Sequence, residues 1–454
     1  MTAFDNRLHR NPPRRSGRGV AEPLHGMDQR NTAPRGLHRA AIGRIALFVF
    51  DFSATGVVRN CIAIANRLHA DGHDVRLIAC CAEGTLRPLV DAGIAVQIIE
   101  QNIGKRAGAA SRRLRLIRCF AGLRSLLGAM KPDILLSTGN HAHALCLAAS
   151  VGMKGIRRIY RISNDLDHGR RDVASWARRV IMGAVVRDAA HLILVSPHLL
   201  ADETIRGAAQ RGRVSVIPNG VQVDCIRARA AQPVAHRWLG EGRDASIPTV
   251  IGIGRIVEQK NFDTLVRALA IAGRVRPMRL LILGDGSEQA RRDLIALAEA
   301  EGVADRIDLV GAVDNPFAYL ARADAFALPS RWEGAPNVLL EAIACGLPVI
   351  ASRTAGNAAD VLGGGRFGML IDPEDTDALA AALLRQTGPD RLMPGDRARD
   401  FDIADTMNGY AALVAGMMAE AVVEGPAPWR PVVIEGGASN VVPARGVAAI
   451  SATR

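Results

Sequence analysis

AFALPSRWEGAPNVLLEAIACGLPVIAS, residues 325–352, is the stretch that decides how this chain is read. An apolar run ends in Leu-Pro-Ser, a loop carries Glu333 and Gly334, and an apolar stretch of helical length leads into a second strand-like run, LPVIAS (347–352). That order is strand, loop, helix, strand, the repeating unit of a parallel sheet. Pro336 is expected as the first helical residue, where its missing N–H costs nothing. Glu333 then belongs to the loop, and Glu341 lies roughly 8 Å further along the helix at about 1.5 Å per residue. The two carboxylates span a site instead of pairing on one face. One suits the hydroxyls of a sugar and the other those of a ribose, with phosphate between them at the free amides of the helix start. A glycosidase acid–base pair needs facing carboxyl groups about 5–10 Å apart, which this spacing does not require.

The same unit repeats on both sides. TVIGIG (249–254), LLILGDG (280–286), RIDLVG (306–311), AFALPS (325–330) and LPVIAS read as one strand series. An earlier series comprises RIALFVF (44–50), DVRLIAC (74–80), IAVQII (94–99), PDILLS (132–137), RRIYRI (157–162), HLILVS (191–196) and RVSVIP (213–218), with helical lengths such as VRNCIAIANRLHADG (58–72) between most of them. Residues 219–247 read as the junction. The expected organisation is a basic arm over 1–43, one doubly wound Rossmann-like domain over 44–224 and a second over 225–405. A C-terminal helix (406–423) and a Pro/Gly/Ala-rich tail (424–454) complete it. Ligands of such sheets sit beyond the carboxyl ends of the strands.

The 454 residues suffice for two or three full cores, and 49% hydrophobic with 22% charged residues is ordinary for a soluble protein. No apolar run reaches the length of a membrane span. The N-terminus lacks the apolar core of a secretory signal. Seven cysteines, odd in number and without a CxxC pair, argue against structural zinc and against a disulfide framework, so a reduced, cytoplasmic setting is expected. The net charge is +12, and residues 1–44 hold nine arginines against Asp5, Glu22 and Asp28. This basic, Pro/Gly/Asn-rich segment reads as a disordered arm. No aromatic interleaving or recognition-helix pattern accompanies the charge, so nucleic acid is not the expected partner. An anionic membrane surface attracts the same charge. Lys105, Arg106, Arg112, Arg113, Arg115 and Arg118 form a second basic cluster, with Arg112, Arg115 and Arg118 at helical spacing and Leu114, Ile117 and Ala121 on another face.

GRIVEQKN (254–261) follows a strand and brackets a short loop with Arg255 and Lys260, two cations suited to a diphosphate. The chain uses only four lysines against 53 arginines, which makes Lys260 informative. GIGRIV fails the GxGxxG dinucleotide fingerprint at Val257. LGDGSEQ (283–289) adds a turn at Gly284 that opens onto a helix start.

Taken in order, GRIVEQKN, LGDG, LVGAV and PSRWEGAPNVLLEAIACGLPVIAS resemble the retaining GT-B glycosyltransferases of the "group 1" family, glycosyltransferase family 4-like. The resemblance spans about 44–420 and is most specific over 250–356, through the two glutamates, the Gly254–Lys260 loop and the CGLPVIAS strand. VIPNGVQVD (216–224) also looks like that family's usual end to the N-terminal domain. It implies an α/β fold of two facing doubly wound domains with a cleft between them. It further implies a UDP-sugar or GDP-sugar donor held by the C-terminal domain. On that pattern Gly254, Arg255 and Lys260 meet the diphosphate, Glu341 the ribose, Glu333 the donor sugar, and the backbone of Gly334, Ala335, Pro336, Asn337 and Val338 the sugar and phosphate. Gly284 lines the nucleotide turn, and backbone near Gly311–Val313 meets the base. No divalent metal is expected, since the two cations take its place; Asp165 and Asp167 have Asp-x-Asp spacing but lie in the other domain. SATGVVRN (53–60) matches the family's first glycine loop and places Gly56 beside the donor phosphates or the acceptor. His141, or else His143, orients a sugar, while Asn164 stands where relatives often carry histidine. The catalytic set is therefore Glu333, Arg255, Lys260 and His141. The expected acceptor is a glycan or lipid-linked acceptor, met at the inner face of the plasma membrane, which suits assembly of a surface polysaccharide or lipopolysaccharide. The alternative is another enzyme on the same scaffold, such as a sugar-nucleotide epimerase or a phosphorylase; an oxidoreductase is disfavoured by the missing glycine and by cations where an acidic ribose-binding residue belongs.

Overall fold

Strand and helix alternate twice along the chain, and each series closes into its own sheet. The computed structural model describes residues 42–100, 109–164 and 173–420. The first series runs β1 (Arg44–Val49), α1 (Gly56–Ala70), β2 (Asp74–Cys81), β3 (Ala95–Glu100), α2 (Ala109–Met130), β4 (Ile134–Ser137), α3 (His143–Ser150), β5 (Arg157–Ile162), α4 (Val173–Asp188), β6 (His191–Leu194), α5 (Glu203–Gln210) and β7 (Val214–Val216). The second begins with α6 (Val223–Ala230) and continues as β8 (Thr249–Ile253), α7 (Phe262–Val275), β9 (Arg279–Leu283), α8 (Glu288–Ala300), β10 (Ile307–Gly311) and α9 (Pro316–Leu320). β11 (Ala325–Leu328), α10 (Asn337–Ala344), β12 (Val349–Ser352), α11 (Ala358–Val361), β13 (Met369–Ile371), α12 (Thr376–Gln386) and α13 (Ile403–Glu420) complete it.

Every strand pairing in both sheets is parallel, in the orders β3-β2-β1-β4-β5-β6-β7 and β10-β9-β8-β11-β12-β13. Each sheet is covered on both faces, as a parallel sheet must be. The two α/β halves expected from the sequence are therefore present. Helices α2 to α5 cover one face of the first sheet and α1 the other; α6, α9, α10 and α11 cover one face of the second, and α7, α8 and α12 the other.

The last helix departs from chain order. α13 follows the second series but packs beside α1, with Met407, Tyr410, Leu413, Val414, Met417 and Met418 in the core of the first half. Those positions recur every three or four residues and form one apolar stripe. Arg157 of β5 anchors the helix end by donating to the Met417 carbonyl.

Three local expectations change. α10 starts at Asn337, so Pro336 stands just before the helix, not as its first residue; its extended ψ of 105° is not helical. β13 is an added strand of three residues behind glycines 363–365, too short to show a period. Cys80 and Cys119, 39 residues apart with Cα atoms 6.2 Å apart, form one disulfide between β2 and α2 where none was expected. The arm up to residue 41, the tail from 421, Lys105, Arg106, Asp165 and Asp167 lie outside the described residues, as do the side chains of Arg112, Arg113, Leu114, Arg115, Ile117 and Arg118.

Leu413 is 4% exposed in the shared core of α13 and the first half. Leu413→Ala should cost about 2–4 kcal/mol in urea unfolding, and a loss below about 1 kcal/mol would show that this stripe is not core.

Candidate functional site

In each sheet the strand order reverses at one point, between β1 and β4 in the first and between β8 and β11 in the second. Helices leave to opposite faces there, and the diverging loops open a crevice at the carboxyl ends. The loops after β8 and β11 are those that carry Gly254 to Lys260 and Glu333 to Asn337. The loops after β1 and β4 carry Gly56 and His141.

In the second half these loops are cross-tied. Asn261, fully buried, adopts the left-handed conformation (φ 56°), and its amide donates to the carbonyls of Pro329 (3.0 Å) and Pro373 (2.6 Å). Its Oδ1 accepts from the Thr264 hydroxyl at 2.8 Å. The β8 loop is thereby fixed to the end of β11. Lys260 Nζ then lies 2.5 Å from Glu333 Oε1, which also accepts from the Ser330 hydroxyl at 3.0 Å. Gln259 donates to the Trp332 carbonyl at 2.9 Å. Lys260 and Glu333 thus form one nearly buried pair. Arg255, by contrast, is exposed and makes no hydrogen bond or ion pair among the described residues. Two glycines allow this crowding. A Cβ on Gly254 would meet the aliphatic stem of Lys260, and one on Gly284 would overlap the Gly254 carbonyl. Gly311 ends β10 at φ 85°, next to the half-buried Val313.

Glu341 lies one turn into α10, 9% exposed, and accepts from Arg59 Nη1 of α1 at 2.8 Å. This ion pair joins the two halves. Burial raises the Glu341 pKa above its ordinary 4.5, and the nearby charges of Arg59 and Arg229 oppose that rise.

The halves meet closely elsewhere too. A Cβ on Gly334 would overlap the Ser163 carbonyl, so in this structure the glycine admits the backbone of the first half. A Cβ on Gly56 would come 2.9 Å from the Asn337 amide. Asn164 offers its carbonyl to the Asn140 amide at 3.0 Å, which holds that loop in place. The two histidines separate by environment. His143 is fully buried, its Nδ1 2.7 Å from the Ser137 hydroxyl and its ring edge-on to Tyr160, and burial pushes its pKa down to about 3. It is a neutral core histidine. His141 is exposed, edge-on to Phe50 at the mouth of the first half. Of the two, only His141 is open to a ligand.

Comparison with known proteins follows these halves. A family model described as "Glycosyl transferase 4-like domain" matches residues 55–220, and one described as "Glycosyl transferases group 1" matches 247–387. The chain belongs to the group 1 glycosyltransferases. The lipopolysaccharide core biosynthesis glycosyltransferase LpsD of Rhizobium meliloti is 34% identical to this family member over 194 residues, 43% of this chain and 52% of that protein. The N-acetylgalactosamine-N,N'-diacetylbacillosaminyl-diphospho-undecaprenol 4-alpha-N-acetylgalactosaminyltransferase of Campylobacter jejuni is 29% identical over 197 residues, 42% and 50%. The chain spans about half the length of the curated relatives it matches. The solved structure of Anabaena Alr3699/HepE in complex with UDP and glucose shares the fold at a TM-score of 0.65 and 18% identity, covering 82% of this chain and all of that one.

Sequence reading of this group 1 member passed over Arg59, Gln259, Ser330 and Asn219. The first and last sit inside SATGVVRN and VIPNGVQVD, quoted for a glycine loop and for the end of the N-terminal domain, but Glu341 lies 282 residues from Arg59 and Asn337 118 from Asn219.

Replacing Arg59 by Gln removes the charge that restrains the Glu341 pKa. A folded-state pKa raised further above 4.5 means that the folded protein binds that proton more tightly than the unfolded chain, so stability falls as pH rises through the interval between them. The melting temperature of Arg59→Gln should match wild type in acid and fall progressively below it as pH rises past the ordinary glutamate range. A deficit largest in acid would contradict this coupling.

Proposed function

We propose that this protein transfers a sugar from a nucleoside-diphosphate donor to a glycan or lipid-linked acceptor, with retention at the anomeric carbon, in the assembly of a cell-surface glycan. The observation that carries this reading is the gathering, at one switch point, of Lys260 and Glu333 from the loops after β8 and β11 and of Glu341 from α10, which meets the first half at Arg59, with Arg255 exposed on the Lys260 loop. Arg255, exposed and without a counter-ion among the described residues, meets the diphosphate together with Lys260. Glu341 takes the ribose hydroxyls in exchange for Arg59. Glu333 receives the donor sugar's hydroxyls while Lys260 and Ser330 hold it in orientation. The backbone of Gly334 to Val338 lines the sugar and phosphate, and that near Val313 and Gly284 the nucleoside. In the transfer the acceptor oxygen bonds to the anomeric carbon, the bond from that carbon to the diphosphate breaks, and the acceptor's proton passes to the departing phosphate. Charge growing on that phosphate is met by the two cations without the aid of a divalent metal. His141 orients a sugar on the acceptor side. The UDP of the HepE complex and the lipopolysaccharide and undecaprenol-linked work named for the two relatives favour this donor and acceptor class.

A panel of UDP- and GDP-sugars, scored by release of nucleoside diphosphate, tests the reading directly; no release with any donor and any glycan or lipid-linked acceptor would refute it. Within it the two glutamates should separate. Glu341→Gln should weaken binding of the free nucleoside diphosphate about tenfold, since the ribose contact needs no sugar. Glu333→Gln should leave that affinity within about twofold and lower turnover at least tenfold. The reverse pattern in calorimetry would reassign them.

A lipid-linked acceptor is also supported by the surface of the first half. No helix among the described residues is long and apolar enough to cross a membrane. On α4, however, Trp176 (61%), Val180 (52%) and Ile181 (46%) are exposed within little more than one turn, flanked by the exposed Arg178 and Arg179. An aromatic and two aliphatic side chains among cations suit the headgroup boundary of an anionic leaflet. Co-sedimentation with anionic vesicles should therefore fall with salt and drop several-fold in Trp176→Ser. Equal sedimentation of the two proteins would exclude this patch as the docking face, and wild-type protein left in the supernatant at low salt would favour a soluble acceptor.

A further inference from the structure

The segment that carries the chain from the first half to the second contains one asparagine that touches both. Asn219, 7% exposed, donates from Nδ2 to the Ala335 carbonyl at 2.9 Å and to Asn337 Oδ1 at 2.7 Å. Its Oδ1 accepts from Asn60 Nδ2 of α1 at 3.0 Å and from Arg161 Nη2 of β5 at 2.5 Å. Both hydrogens and both lone pairs of the amide are used. A guanidinium can only donate and a backbone carbonyl can only accept, so the amide has one orientation. Its oxygen faces the first half and its nitrogen faces the start of α10.

The oxygen side is rigid. Arg161 is 1% exposed, and its other bonds go to the Tyr410 hydroxyl of α13 (3.0 Å) and the Thr138 carbonyl after β4 (3.4 Å), all neutral acceptors. β4, β5, α1 and α13 thus converge on one side of the amide. On its other side stand the two residues flanking Pro336, placed between Glu333 and Glu341.

We propose that Asn219 is a positioning residue for the donor site: it holds the entry of α10 against the first half, so that Glu333 and Glu341 are presented together when the cleft is closed. It touches no reacting atom. The inference rests on the donor reading above for its effect on turnover, and on geometry alone for its effect on α10.

Asn219→Asp separates the two sides. The carboxylate keeps both acceptor bonds and gives the buried Arg161 a counter-charge, but it has no hydrogen for Ala335 or Asn337 and sets oxygen against oxygen there. The melting temperature should equal or exceed that of wild type. Hydrogen–deuterium exchange of the segment 335–345 should be at least tenfold faster, with exchange in β5 and α1 unchanged. At saturating donor kcat should fall at least tenfold, and by a larger factor than affinity for free UDP or GDP, whichever wild type binds, because α10 keeps its own packing on the second half. Asn219→Ala, which breaks both sides, should in contrast lose melting temperature. Wild-type exchange in the Asp variant overturns the proposal, as does faster exchange with unchanged kcat. A melting loss as large as that of Asn219→Ala marks a merely structural residue and overturns it too. If the wild-type protein transfers sugar from no donor, the functional reading fails alone, and exchange and melting still decide the role of Asn219.

Discussion

A parallel strand cannot be joined to its parallel neighbour by a tight turn; the chain must cross back over the sheet, and a helix is the compact way to do it. Both sheets of this protein obey that constraint at every strand, and the placement of the site follows. All loops that leave a carboxyl end gather on one edge of each sheet, and the reversal of strand order at β1/β4 and β8/β11 opens each edge into a crevice. Residues as distant in sequence as Lys260 and Glu333, or Arg59 and Glu341, are brought within hydrogen-bond reach by this rule. No local preference of their own segments could do so.

The same constraint made much of the fold legible. Fully buried parallel strands are short apolar runs, and every run quoted from the sequence contains a strand of the structure. What escaped reading was local and weak. β13 is three residues long, and the boundary at Pro336 shifts by one because its fixed φ suits the residue before a helix as well as the first within it. The Cys80–Cys119 bridge depends on how α2 lies against β2, and a count of cysteines carries no such information.

For the site, chemistry was more legible than company. Residue type and position made the two cations and the two glutamates candidates, and the family resemblance assigned their roles. They did not reveal that Lys260 and Glu333 form a pair, or that Glu341 faces an arginine of the other half, since both depend on tertiary contact. His141 and His143 share a motif and differ only in burial, which two residues of sequence cannot encode. Gly334 reads in sequence as room for a ligand; in the structure that room is filled by Ser163 and Asn164, because the cleft is closed upon it.

The return of α13 to the first half has a consequence for the making of the protein. A chain leaving the ribosome presents all seven strands of the first sheet by residue 216, yet the stripe from Met407 to Met418 that covers them emerges last. In between, the whole second half is synthesised and can fold, since its sheet lies within residues 249–371 and its two faces are covered by its own helices. The half begun first is therefore the half finished last. Until residue 420 is out, the apolar groove beside α1 stands open to water, and it is there that a nascent chain of this kind offers its surface to a chaperone or to a neighbouring chain.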